Sequence, residues 1–279
     1  MGPEAEQLSQ ILESTFGRAF LAHLTGLDPN DFLMCGMDPR EIATRAKSFN
    51  RDQLKASPFE IFAEFIRDYP WGLPHAWIRL ATELEEAKHQ LEAVLLDLSL
   101  ELSELGFTAE FDHTNQFAVK ADAYSEQTSF DNRWNSNAGA WWTHPNSLLS
   151  FQGRSADLGS FAFDDALILP TSMTRFSISE KPRIYEIHSE RDWTSLVETH
   201  ATEARVLHLD NWRFSMDKGI DAIWIPDWRE VSENYDGVYL APAAYLGVSY
   251  RFMSLPDGRV TFLSGWSPGS TFWLPRNSD

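Results

Sequence analysis

The groups with the most chemistry to offer in this 279-residue chain are its eight histidines and 41 acidic residues, and their spacing offers little of it. A zinc site built on one helix wants two histidines four residues apart, and a zinc ribbon wants paired cysteines. No His-x-x-x-His pair occurs and Cys35 is the lone cysteine, so no metal is expected. His188 closes one candidate strand and His208 lies inside another, where a single histidine reads as structural before it reads as a general base. The carboxylate runs Asp164-Asp165 and Glu83-Leu84-Glu85-Glu86 fit solvated faces of an acidic chain. There is no Walker A loop and no Gly-x-Gly-x-x-Gly fingerprint, and no nucleophile elbow of the Gly-x-Ser-x-Gly kind is expected.

Aromatic density is the stronger signal. Nine of the eleven tryptophans lie beyond residue 106. Trp134, Trp141 and Trp142 fall within Asp131–Trp142, a stretch rich in Asn and Gly that reads as an ordered loop. Tryptophan buries a large area while keeping an N–H to satisfy, so it serves both cores and the walls of ligand clefts. These three are candidate ligand-binding residues.

Composition narrows the partners. A hydrophobic content of 43% is ample for a packed core, and a formal charge of −18 argues against nucleic acid and anionic membranes, which reward a basic surface. One cysteine forms no internal disulfide, Glu4 and Glu6 stand where an export signal would be basic, and no apolar run reaches spanning length. Cytoplasmic residence is the expectation.

The elements that must position these groups change character at Gly106. Residues 4–105 carry apolar residues at helical spacing, beginning with the stripe Leu8, Ile11, Leu12, Phe16, Phe20, Leu21 and Leu24, which Gly26-Leu27-Asp28-Pro29 ends. Asp38-Pro39-Arg40-Glu41 and Ser57-Pro58-Phe59-Glu60 start further helices. Residues 75–105 hold the longest run, with Trp77, Leu80, Leu84, Leu91, Leu95, Leu98, Leu102 and Leu105 near heptad spacing and Gly106 closing it. That stripe packs on the chain's own helices or in a coiled-coil dimer.

Beyond Gly106 the period alternates. Phe107–Phe111 and Phe117–Ala123 are expected to pair as a hairpin. Further candidate strands are Leu148–Gln152, Ala166–Leu169, Thr174–Ser179, Arg183–His188, Val206–Leu209, Ala222–Ile225, Val238–Leu240, Tyr250–Ser254, Val260–Leu263 and Thr271–Leu274. Two short helices interrupt them, one capped by Ser189 and one by Asp227 with Glu230 reaching back as in a capping box. Tyr235-Asp236-Gly237 reads as a turn using the glycine's freedom at positive φ.

The ending Gly265-Trp266-Ser267-Pro268-Gly269-Ser270-Thr271-Phe272-Trp273-Leu274, with Arg183–Ser189 and Tyr235-Asp236-Gly237-Val238, resembles a module of bacterial proteins of unknown function and covers roughly the last hundred residues. More distantly, a first strand carrying Arg, a Tyr-Asp-Gly-Val turn and a closing strand are similar to ADP-ribosyltransferase-like toxin domains. That resemblance implies an NAD contact at Arg183, with Tyr185 or a tryptophan stacking on the nicotinamide. The family's catalytic Glu has no counterpart in Val260–Leu274, and Glu186 is the nearest carboxylate.

The chain is therefore expected to be α+β, with a helical domain at 1–106 and a β-rich, Trp-dense domain at 107–279. The expected function is a binding or accessory protein without a cofactor, recognising a protein or small ligand through the second domain and using the first for a partner or homo-oligomer. The alternative is an NAD-using transferase-like domain.

Overall fold

A computed structural model describes residues 3–27, 39–48, 61–62, 64–66, 82–120, 143–145, 147–153, 172–176, 178, 181–204, 220 and 222–274. The protein is α+β, with helices concentrated in the first part and strands in the second. Helix α1 (Pro3–Ser9), a 3₁₀ turn (Gln10–Glu13) and α2 (Thr15–Leu24) carry the first apolar stripe. The stripe is buried as expected but is broken at Ser14, whose hydroxyl caps α2 by accepting from the Gly17 amide at 2.8 Å. Helix α3 (Pro39–Lys47) begins at the expected proline, and residues 61–62 and 64–66 are helical.

The long leucine stripe lies on residues 82–86 and on α4 (Lys88–Glu104). Leu84, Leu91, Leu95, Leu98 and Leu102 are buried within the chain. Gly106 stops α4 with φ at 84°, the Phe107 amide donating to Leu102 and the Gly106 amide to Ser103. This is a Schellman closure, which needs a left-handed residue and so favours glycine.

The strands form two sheets. The six-stranded sheet has the order β3-β1-β2-β10-β7-β4, comprising β1 (Gln116–Lys120), β2 (Leu148–Gln152), β3 (Ser172–Phe176), β4 (Ile184–Ile187), β7 (Gly237–Leu240) and β10 (Ser270–Trp273). Its pairs are antiparallel except β4 with β7, which are parallel. The four-stranded sheet has the order β5-β6-β9-β8, comprising β5 (Ala201–Glu203), β6 (Trp224–Pro226), β8 (Phe252–Ser254) and β9 (Val260–Phe262). Helices α5 (Glu190–Thr199), α6 (Trp228–Asn234) and α7 (Pro242–Val248) lie between strands in sequence.

Several expectations need correction. Phe107–Phe111 forms no strand: β1 pairs with β2 and β3 instead, and the segment before it crosses the sheet irregularly. Asp227 caps α6 by accepting from the Arg229 amide, but Glu230 does not reach back, because the Asp227 amide already donates to the His200 carbonyl at 2.6 Å. Gly237 is not left-handed. It is needed for close approach, since a Cβ there would meet the Phe272 carbonyl oxygen at 3.0 Å. Helix α7 and strand β5 were not expected. The candidate strands Ala166–Leu169 and Val206–Leu209, the latter with His208, lie outside the described residues.

The helical and β-rich parts share one apolar core. Phe16 of α2 packs edge-on against Tyr245 of α7 at 5.5 Å and tilted against Tyr250 at 5.0 Å. The Ser14 hydroxyl donates to the Leu246 carbonyl and the Gln10 side-chain Nε2 to the His188 carbonyl. Gly247 allows Gln10 to approach closely, since a Cβ at this position would stand 2.8 Å from Gln10 Cγ.

Candidate functional site

Strand alternation sorts the six-stranded sheet into two unlike faces. From the registers, Gln116, Gln152, Ser150, Thr271, Tyr239 and Glu186 share one face, while Phe117, Phe151, Leu149, Phe272, Val238 and Tyr185 share the other. The polar groups of the first face are tied together. Trp273 Nε1 donates to Ser150 Oγ at 2.7 Å, Ser150 Oγ donates to Gln116 Oε1 at 2.6 Å, and Gln116 Nε2 donates to Gln152 Oε1 at 3.2 Å. Gln152 Nε2 also reaches the Tyr239 hydroxyl at 3.3 Å.

This network holds the segment that the sequence presented as a strand. Tyr239 donates to the Ala109 carbonyl at 3.0 Å and Gln152 to the Glu110 carbonyl at 2.6 Å. The Phe111 amide donates to Glu186 Oε2 at 2.9 Å and the Asp112 amide to Gln152 Oε1 at 2.7 Å. His188 Nε2 donates to the same Glu186 oxygen at 2.9 Å, and this bond, outweighing partial burial, lowers the carboxyl's pKa. Burial raises the Tyr239 phenol, so it stays a neutral donor. An imidazole oriented by a carboxylate has the form of a general-base pair, but here the carboxylate also accepts from the Phe111 main-chain amide.

Arg183 and Tyr185 sit at the parallel edge of the same sheet. The Arg183 guanidinium lies against Asp236, with Nη2 to Oδ1 at 3.1 Å and Nε to Oδ2 at 3.4 Å, and its amide donates to Oδ2 at 2.8 Å. The Asp236 amide returns a bond to the Arg183 carbonyl at 2.7 Å. This clasp ties β4 to the entry of β7. The Tyr185 hydroxyl donates to the Asp192 carbonyl at 2.7 Å, its ring meets Tyr235 edge-on at 5.1 Å, and burial pushes its pKa up to about 12. Glu186 projects from the opposite face, so the sheet separates it from Tyr185.

Trp134, Trp141 and Trp142 lie outside the described residues, but the segment immediately following them is placed. Thr143 Oγ1 accepts from Trp266 Nε1 at 3.0 Å and from the Ser264 amide at 3.0 Å. His144 stacks on Phe272 at 4.4 Å. Residues 143–145 therefore lie on the Tyr185 face, over β10, two strands from β4 and so about 10 Å across the sheet. Of the other tryptophans, Trp193, Trp228 and Trp266 are core residues, and Trp224 carries Arg259 over its ring at 4.7 Å.

His144 yields a pH prediction. It is buried, and burial lowers its pKa to about 4 from an ordinary 6.5. Between those values the unfolded chain binds more protons, so the full stability is present above about pH 6.5 and is lost as pH falls toward 4. The loss attributable to this residue is about 3 kcal/mol. Urea midpoints measured from pH 7 to pH 4.5 are expected to fall less steeply in His144→Gln than in the natural chain. Parallel slopes would remove His144 as the cause.

Gly265-Trp266-Ser267-Pro268-Gly269 has the form Gly-x-Ser-x-Gly, but it leads into strand β10 and not into a helix, so Ser267 is not raised on a nucleophile elbow. Glu86 and His89 stand at Glu-x-x-His spacing, yet His89 is 92% exposed and faces Glu92 at 3.6 Å. Among the described residues, no group of three or more His, Cys, Asp or Glu is placed to hold a metal ion. Compared with known proteins, the chain matches no family model, no curated protein and no solved structure.

Proposed function

We propose that this protein acts by binding, recognising a protein or small ligand through its aromatic-rich C-terminal part in the cytoplasm. The helical part would contribute a partner or oligomer surface, for which Leu96 and Leu100, 67% and 69% exposed on α4, are the candidates. No described helix is long and apolar enough to cross a membrane. The observation that carries the reading is how the polar groups are employed. Glu186, His188, Tyr239 and Gln152 direct their hydrogen bonds at one another and at a peptide main chain. The test is retention of a partner from a native lysate by the immobilised full chain. A partner that survives a salt wash is the expected result, while turnover of a small molecule without any partner would reverse the assignment.

The dinucleotide reading is separable. Arginine suits phosphate because its planar fork stays charged at every accessible pH, but the Arg183 fork is turned toward Asp236. Calorimetry with millimolar NAD is expected to show no heat of binding. Heat that weakens in Arg183→Ala would favour the NAD-using alternative.

A further inference from the structure

We propose that the polar face of the six-stranded sheet is a peptide-reading surface, occupied here by the chain's own residues 109–112. Its external ligand is an extended peptide with one aromatic side chain in the place of Phe111. This deepens the binding reading above and rests on it.

Five hydrogen bonds hold the strap, and each ends on its main chain. Tyr239 takes the Ala109 carbonyl, Gln152 the Glu110 carbonyl and the Asp112 amide, Glu186 the Phe111 amide, and Gln116 the Asp112 carbonyl at 2.7 Å. Among the described residues, no hydrogen bond runs from the sheet to a strap side chain. The side-chain feature recognised is the Phe111 ring, 6.2 Å from the Tyr239 ring and edge-on to Trp273 at 5.9 Å. Main-chain bonds that supply affinity, with a slot for one side chain, are the chemistry by which extended peptides are captured.

Two further features fit a displaceable occupant. A sheet face covered only for the sake of the core is normally apolar, whereas this one presents Gln116, Ser150, Gln152, Tyr239 and Glu186. The strap also lies outside every β ladder, so it can leave without unpairing a strand. Gly106, at positive φ, precedes it, and a local turn follows, with the Thr114 amide and hydroxyl both donating to Asp112 Oδ1. Glu110 and Asp112 are exposed and Phe111 is half-buried.

The test uses the full chain and a fluorescent peptide of residues 106–115. Phe111→Ala loosens the internal occupant, so this variant is expected to bind the peptide at least about tenfold more tightly than the natural chain. Adding Gln152→Ala, which removes two of the five bonds, is expected to weaken binding by about tenfold. A folded Phe111→Ala chain that binds no better than the natural one, or that ignores Gln152→Ala, overturns the proposal. Should Phe111→Ala fail to fold, hydrogen exchange on the natural chain decides. The Phe111 and Asp112 amides are expected to exchange through an opening that leaves Ser150 and Tyr239 protected, and equal protection overturns the proposal. A lysate partner that the strap peptide does not displace would leave the binding reading standing and remove this one.

Discussion

Trp266→Ala is expected to destabilise the protein by about 3–5 kcal/mol, the cost of deleting a large aromatic side chain from a core that cannot close around the gap. Trp266 is 0% exposed. Its ring meets Phe272 at 5.0 Å, Trp228 at 6.0 Å and Trp193 at 6.1 Å, joining the sheet to α5 and α6. Its N–H donates to Thr143 Oγ1, so the substitution also removes one of the ties that hold residues 143–145. A loss of this size is a large share of a typical domain's stability. Urea unfolding gives the measurement, with Trp266→Phe as the control that keeps most of the volume and drops the N–H. A cost below about 1 kcal/mol for the alanine variant would mean that Trp266 is not a keystone of this core.

The parts of the fold that were legible in the sequence are those governed by neighbours within a few residues. Ser189 and Asp227 mark their helices because an N-cap is a contact over two or three positions. Gly106 marks the end of α4 for the same reason, and Leu148–Gln152 is a strand as expected. Helix α7 was missed because every residue from Pro242 to Val248 is buried, and a helix covered all round shows no amphipathic period. Its available signal was a proline at the first turn, after Ala241.

The site was less legible, again for a physical reason. Phe107, Ala109 and Phe111 alternate as a strand would, but the segment's partners are the side chains of Gln152, Glu186 and Tyr239, and nothing local announces them. Arg183 could be placed at the start of β4 from its neighbours, and it stands one residue before Ile184. That its guanidinium meets Asp236, 53 positions away, could not. The faces of the sheet follow from register, which depends on the order of the strands and so on the whole topology.

Removal of residues 1–27 is expected to abolish cooperative folding of the remainder, the largest effect foreseen for this chain. A division of the chain near Gly106 into two independent units would make that deletion harmless to the β-rich part. The packing argues otherwise. Every residue of α7 is buried, and the 3₁₀ turn and α2 supply part of its cover, with Phe16 against Tyr245 and Tyr250, and Ser14 bonded to the Leu246 carbonyl. The deletion would strip those contacts, expose an apolar helix and release the His188 carbonyl that Gln10 satisfies. Residues 107–279 expressed alone are therefore expected to aggregate, or to unfold without a sharp transition in circular dichroism. Adding residues 1–106 as a separate chain is expected to restore a soluble complex, because the severed surface is the one that the two parts share. A fragment 107–279 that is monomeric and melts cooperatively would establish that the β-rich part completes its own core, and the contacts through Phe16 and Ser14 would then be docking contacts between two finished domains.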